Sequence, residues 1–565
     1  MSVKVDGKAV GREHQLLSVS ITKVVNRISS ARLVYVDGSA SASDFPLSNA
    51  GLFVPGKSVE VLGGAVDSSP TSLFTGVVVK HSIKVRDHSA SQLIVECKHK
   101  ATKLSVGERN AYFLDQSDSE AIESLLERAG IEADVEDTRG KHKQQVQFRC
   151  TDWDYLLARA QANGKFVLTN DATVRVAAPK LEKASTELQY GATILELDAE
   201  IDARSQYSAI QAVTWDADSQ ELVTADASDP GIAGPGNLNG DDLSKVVGLG
   251  KDAIVHAAIT EAEAQQWADA EWLRSRLSKV SGRMKCEGIG TVNPGDTVKL
   301  SGVGERVSGD VFVTGVRHEF DTLQGWKTHL QFGAGDGWTP ESHPTTTPKA
   351  SGLLPGVNGL QTAVVVSNED DAGSHRVRVR IPTVDSSSDG TWARVASLDA
   401  GDKRGFFFRP EIGDEVVVGF LDDDPRQPVI LGMLHSAAKA APIEGSDDNH
   451  EKAYVSRSNM KLYFNDDKKV VRLETPAGNS LTLSEDEKSI VIKDQNGNKI
   501  ALTSDGITIQ SAKKLELKSG TGLELNAGTD LSLSASTSLA LNGSASAELK
   551  SSGVTTVKGS LVQIN

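Results

Sequence analysis

At 565 residues with a formal charge of −16, the chain is too long for one core and too acidic to present the concentrated basic face that phosphate binding requires. Apolar residues make up 39% of it and glycines number 51, a balance that favours turns and strands over long helices. Nucleic acid is thereby excluded as the main partner, and a β-rich protein of several domains is expected. Cys97, Cys150 and Cys286 are too few and too scattered for a disulfide framework or a metal knuckle, and are expected as buried free thiols. The opening MSVKVDGKAVGREH lacks the apolar core of a secretory signal, and nowhere do about 18 apolar residues run together, so folding in the cytosol is expected.

Residues 1 to about 105 alternate in short bursts such as LSVSITKV, LVYV and SLFTGVVVKHSIKV, the spacing of a small antiparallel barrel or sandwich. A helix follows in DSEAIESLLERAG, with Asp118 or Ser119 as cap, Ile122, Leu125, Leu126 and Ala129 on one face, and Gly130 at its end. A second, TDWDYLLARAQANGKFVL, starts at a Thr/Asp cap and gathers Trp153, Leu156, Leu157 and Ala160. Residues 225–243, rich in Gly, Pro and Asp, predict an exposed loop. The long helix after Ile259 opens on a Thr-x-x-Glu pattern and is expected to turn Trp267, Ala270, Leu273, Leu277 and Val280 inward. Strands resume through 284–333, suggesting a second barrel, and TPESHPTTTPKASG at 339–352 reads as a linker. AVVVSNED, HRVRVRIP, TWARVA, GFFFRPEIGDEVVVGFLDDDP and QPVILGMLH then supply about five strands, enough for a compact barrel.

From Leu462 onward apolar residues come in pairs with one residue between them. The spacing then locks: Ile507/Ile509, Leu515/Leu517, Leu523/Leu525, Leu531/Leu533, Leu539/Leu541, Ala547/Leu549 and Thr555/Val557 follow one another every eight residues. Burying two such side chains yields less than the cost of ordering eight residues, so a lone ribbon should not fold. Backbone hydrogen bonds narrow the gap only where a neighbouring strand accepts them. That neighbour is either another coil of the same chain or another copy wound about a shared axis. The Gly-Gly-x-Gly-x-Asp pattern of calcium-binding solenoids is absent, which favours the intertwined form.

These residues together resemble the valine-glycine repeat (VgrG) spike family of contractile injection systems. The hub part of that family is matched by 151–168 and by GVRHEFDTLQGWKTHLQFG at 315–333, its oligonucleotide/oligosaccharide-binding (OB) barrel by 405–437, and its collar by the stretch from Asn459 to Ser511. The resemblance implies a mainly β chain with an α+β hub. Residues 1–345 would form two tandem β-barrels with helical inserts, 346–362 and 438–454 linkers, 363–437 an OB-fold barrel, and 455–565 an intertwined trimeric β-helix, a β-prism needle. It further implies a homotrimer among baseplate proteins, seated on a hexameric inner tube, carrying effectors and contacting the target membrane only mechanically. A conical PAAR-repeat tip protein would sit on the needle end, and Leu561, Val562, Ile564 and Asn565 are the expected contacts.

No cofactor, metal or catalytic residue is expected. Asp422-Asp423-Asp424-Pro425 reads as a turn, because consecutive carboxylates diverge. VVGLGKDA at 246–253 lacks the spacing of a phosphate loop. His318 reads as a packed residue, and Arg376, Arg378 and Arg380 as a solvated or intersubunit ion-pairing strand face. The rival reading is a phage tailspike-like glycan hydrolase, which needs two acids converging across a groove; Glu516, Glu524, Asp530 and Glu548 are instead spread singly.

Overall fold

The computed structural model of a single chain describes residues 1–565 except 65–68, 171, 217–219, 249, 256–259, 336–348 and 565. Strand accounts for 39% and helix for 12%, a mainly β protein. Two compact units divide it, one of residues 1–360 with 391–394 and 419–429, the other of residues 361–390, 395–418 and 430 onward.

In the first unit most strands join one sheet. Its path runs through 194–201, 280–287, 325–332, 309–321, 16–24, 30–36, 92–98, 71–84, 58–63, 2–5 and 8–9, every pair antiparallel. The seam lies between Leu16–Val24 and Gly309–Asp321, where Ile21 stands opposite His318. Two apolar cores flank it. One gathers Val19, Ile21, Leu33, Tyr35, Phe74 and Val95, the other Met284, Val298, Val316, Leu330 and Phe332. The two sets of strands legible in the sequence are thus parts of one hydrogen-bonded surface.

The helices lie between these sets in the chain. Asp118–Arg128 is capped by Ser117, one residue before the expected cap: its hydroxyl accepts from the Glu120 N–H at 3.2 Å and the Glu120 carboxylate accepts from the Ser117 N–H at 2.8 Å. Asp118 is freed for a buried network, accepting from Arg159, Asn163 and Gln145. Burial alone would raise its pKa, but the hydrogen bond and charge of Arg159 outweigh that and hold the carboxyl down at about 2. Thr151 and Thr260 cap the other two long helices as expected. The face that Glu261–Leu277 buries is built on Ala264, Ala268, Ala270 and Leu277; Trp267 and Leu273 are half-buried, and Val280 belongs to the next strand. The loop expected at 225–243 shortens at both ends, to a strand reaching Asp226 and a helix from Gly240. Cys97 and Cys286 are buried thiols, whereas Cys150, at the end of its strand, is only half-buried. The expected linker at 339–352 falls largely outside the described residues.

From Gln361 onward the chain forms a closed five-stranded barrel of 361–367, 377–380, 391–395, 415–420 and 428–433. Alternation puts Ala363, Val365, Val377, Val379, Val416 and Val418 inside, none more than 2% exposed. A seven-stranded antiparallel meander follows, from Glu451–Val455 to Gly506–Gln510. Its first strand begins inside the segment expected as a linker.

Candidate functional site

Each hairpin of the meander fixes the register of the next, so residues of like parity share a face. Tyr454 pairs with Leu462, Leu462 with Leu473, Leu473 with Leu481, Leu481 with Ile492, Ile492 with Ile500 and Ile500 with Ile509. A parallel row runs Phe464, Val471, Leu483, Ile490, Leu502 and Ile507. The result is an apolar face seven strands wide. Leu473, Leu483, Ile490, Ile492, Ile500 and Leu502 on it are exposed in the single chain.

After Gln510 the ladder stops. Bends recur at 512–513, 520–521, 528–529, 536–537, 544–545, 552–553 and 560–561, always eight residues apart, and none of the described residues between them is in a strand. The spacing of the leucine pairs therefore has a backbone counterpart: six open residues, then a bend. All twelve expected core residues, Ile507, Ile509, Leu515, Leu517, Leu523, Leu525, Leu531, Leu533, Leu539, Leu541, Leu549 and Val557, are between 53% and 81% exposed. Each leucine buried would contribute roughly 1.5–3 kcal/mol. A single chain leaves that contribution unrealised and its backbone donors without strand partners. Of the expected tip contacts, Leu561, Val562 and Ile564 are exposed, and Asn565 lies outside the described residues.

The polar side of the repeat carries isolated charges. Glu516 lies between Lys518 and Lys514, whose hydrogen bonds lower its pKa, and Glu524, Asp530 and Glu548 are exposed. No converging acid pair forms among them.

The remaining sites take bland roles. Burial, with the Lys23 charge adding to it, pushes His318 down to about 3, and its Nδ1 lies 3.1 Å from the Thr328 hydroxyl. Asp422 and Asp423 occupy left-handed turn positions, and Asp424 pairs with Arg426 at 2.6 Å. Arg376 is bound to Asp370, Arg378 to Asp389, and Arg380 donates to the Ser388 carbonyl. Among the described residues no three His, Cys, Asp or Glu side chains gather as a metal site, and no helix is long and apolar enough to cross a membrane. Sequence reasoning overlooked Phe406, Phe407 and Phe408, all more than half exposed. Their signal was three consecutive aromatics, which alternating side chains cannot all turn inward.

Comparison with known proteins places these parts. Residues 1–322 match the profile described as the Alg8 N-terminal domain. Residues 361–435 match the type VI secretion system/phage-baseplate injector OB domain, and 470–565 the phage baseplate V C-terminal trimerisation domain. The type VI secretion system spike protein VgrG1b of Pseudomonas aeruginosa is 29% identical over 245 residues, 39% of this chain and 31% of that protein. The chain belongs to the VgrG-type spike proteins, with an N-terminal part of the Alg8 family.

Within that spike family, VgrG1c of the same organism is 32% identical over 142 residues, 23% of this chain and 19% of that one. The matched stretches thus span less than a third of the length of these two spike proteins. Among solved structures, a tail protein from Neisseria meningitidis is 18% identical, covering 61% of this chain and 98% of that one with a TM-score of 0.43.

Proposed function

We propose that the chain is the trimeric central spike of a contractile injection machine, a structural and non-enzymatic part. One observation carries this reading: an eight-residue repeat whose leucine pairs are exposed and whose backbone has no strand pairing in one chain, within a segment matching a trimerisation domain. Three copies wound about one axis bury the pairs against each other and supply the strands that the backbone lacks. Residues 1–345 act as the hub, with the two apolar cores as tandem barrels facing a hexameric inner tube. Residues 346–360 and 438–450 are connectors, 361–437 narrows the assembly to three-fold symmetry, and 451–565 is the needle, its collar the meander and its shaft an intertwined β-prism. Baseplate proteins surround the hub, a PAAR-repeat tip protein seats on Leu561, Val562, Ile564 and Asn565, and effectors travel with spike or tip. The particle is assembled in the bacterial cytoplasm and driven outward, so that the needle loads a small area of the target envelope.

The test is the molar mass of the full chain by light scattering, beside the chain ended after His450. A trimer whose heat and detergent resistance falls on truncation is expected. A stable full-length monomer would overturn the reading and make the repeat a one-chain solenoid.

A further inference from the structure

The trimer reading places the contact between copies in the repeat, and the matched trimerisation segment begins only at residue 470. The apolar surface begins earlier. Phe406, Phe407 and Phe408 follow the short hairpin of Ala400–Gly401 and Arg404–Gly405, and are 53%, 74% and 51% exposed. Three neighbouring aromatic rings turned to water are a large unburied apolar area for one short loop. They are also ordered against each other. Phe406 and Phe408 have ring centroids 6.1 Å apart, and the Arg409 guanidinium lies 5.9 Å from the Phe407 ring.

The direction in which this patch continues names its occupant. Phe408 meets Tyr454 edge-on with centroids 4.9 Å apart. Tyr454 heads one apolar row of the meander, opposite Leu462, and that row passes strand by strand to Ile509, where the eight-residue phase starts. One apolar stripe thus runs from the barrel's aromatic loop to the shaft, within a single unit of the chain. A surface continuous with the stripe that three copies bury is covered by the same copies, because wound chains hold their preceding segments at high effective concentration.

We infer that Phe406, Phe407 and Phe408 form the head of the trimer core, covered by the two other copies of this chain. This rests on the spike reading. The contact between copies then begins more than a domain's linker before the needle, and torque on the shaft passes into the barrels through aromatic packing as well as through the connecting strand.

Thiol labelling of the full-length chain tests this. Phe407→Cys and, as an exposed reference in the same unit, Val384→Cys are each treated with a maleimide, and each native rate is divided by that variant's rate in denaturant, with the wild-type thiols subtracted. The wild type should scatter as a trimer, with Cys at 407 modified at least about tenfold more slowly than Cys at 384, as for a group reached only by local opening. A wild-type trimer with a Phe407→Cys chain that is monomeric also supports the inference, since the ring is then needed to hold the copies. A trimeric variant labelled at 407 as fast as at 384 overturns it and leaves the spike reading standing. A monomeric wild type overturns both.

Discussion

At the scale of single residues, the sharpest pH dependence belongs to His318. Its ring is 1% exposed beneath the seam, with Lys23 close by, and stays neutral in the fold down to about pH 3. The unfolded chain binds that proton near pH 6.5, so the fold has the full benefit above 6.5 and loses it as pH falls, by about 1.4 kcal/mol per unit. Between pH 7 and pH 4.5 the wild type should therefore lose about 2–3 kcal/mol more than His318→Gln, which keeps a partner for Thr328 but does not titrate. Denaturant unfolding of both chains at the two pH values checks this; equal losses would mean the ring is hydrated. Sequence alone favoured a packed ring here. It named Asp118 or Ser119 as the cap of the first helix where Ser117 holds that position, because nothing local shows that Arg159 and Asn163 claim the Asp118 carboxylate from elsewhere in the chain.

At the scale of elements, phase matters more than any one leucine. The repeat was legible because one short period governs both the apolar pairs and the bends, so that no distant residue was needed to read it. The sheet of the first unit was not, because its central pairing joins Leu16–Val24 to Gly309–Asp321, far apart along the chain. The aromatic loop was legible only in part: alternation requires at least one of three consecutive phenylalanines to face outward, but only the backbone shows that all three do. Phase also yields a test. One residue inserted between Gly528 and Thr529 turns every later pair to the opposite face, whereas eight inserted residues restore the order. The single insertion should abolish the detergent resistance of the trimer beyond that point, leaving proteolysis to trim the shaft near residue 528, while duplication of 521–528 should leave both properties intact. Equal behaviour of the two insertions would mean that the leucine pairs do not face a common axis.

At the scale of the whole molecule, the proposed trimer makes folding and assembly of the shaft a single event. The barrel and the meander each close their own hydrogen bonds within one chain, so they can form at any dilution. Residues 511–564 have exposed leucines and no strand of their own chain beside them, so in the proposed trimer their order waits for two other copies. Refolding from denaturant should therefore proceed in two phases. The first, read by tryptophan fluorescence, should have a rate independent of chain concentration, because six of the seven tryptophans lie before residue 339 and the seventh, Trp392, is in the barrel. The second, read as the return of detergent resistance, should quicken as concentration rises, because encounter of three chains limits it. A one-chain coil predicts the opposite, a resistance that returns at one rate at every dilution. Mixing full-length chains with chains carrying Leu531→Ser and Leu533→Ser before refolding sharpens the contrast: hetero-trimers should form and lose resistance stepwise with each defective copy, since the proposed shaft builds every layer from one pair of each of three chains. Two unmixed populations would show instead that each chain packs only against itself.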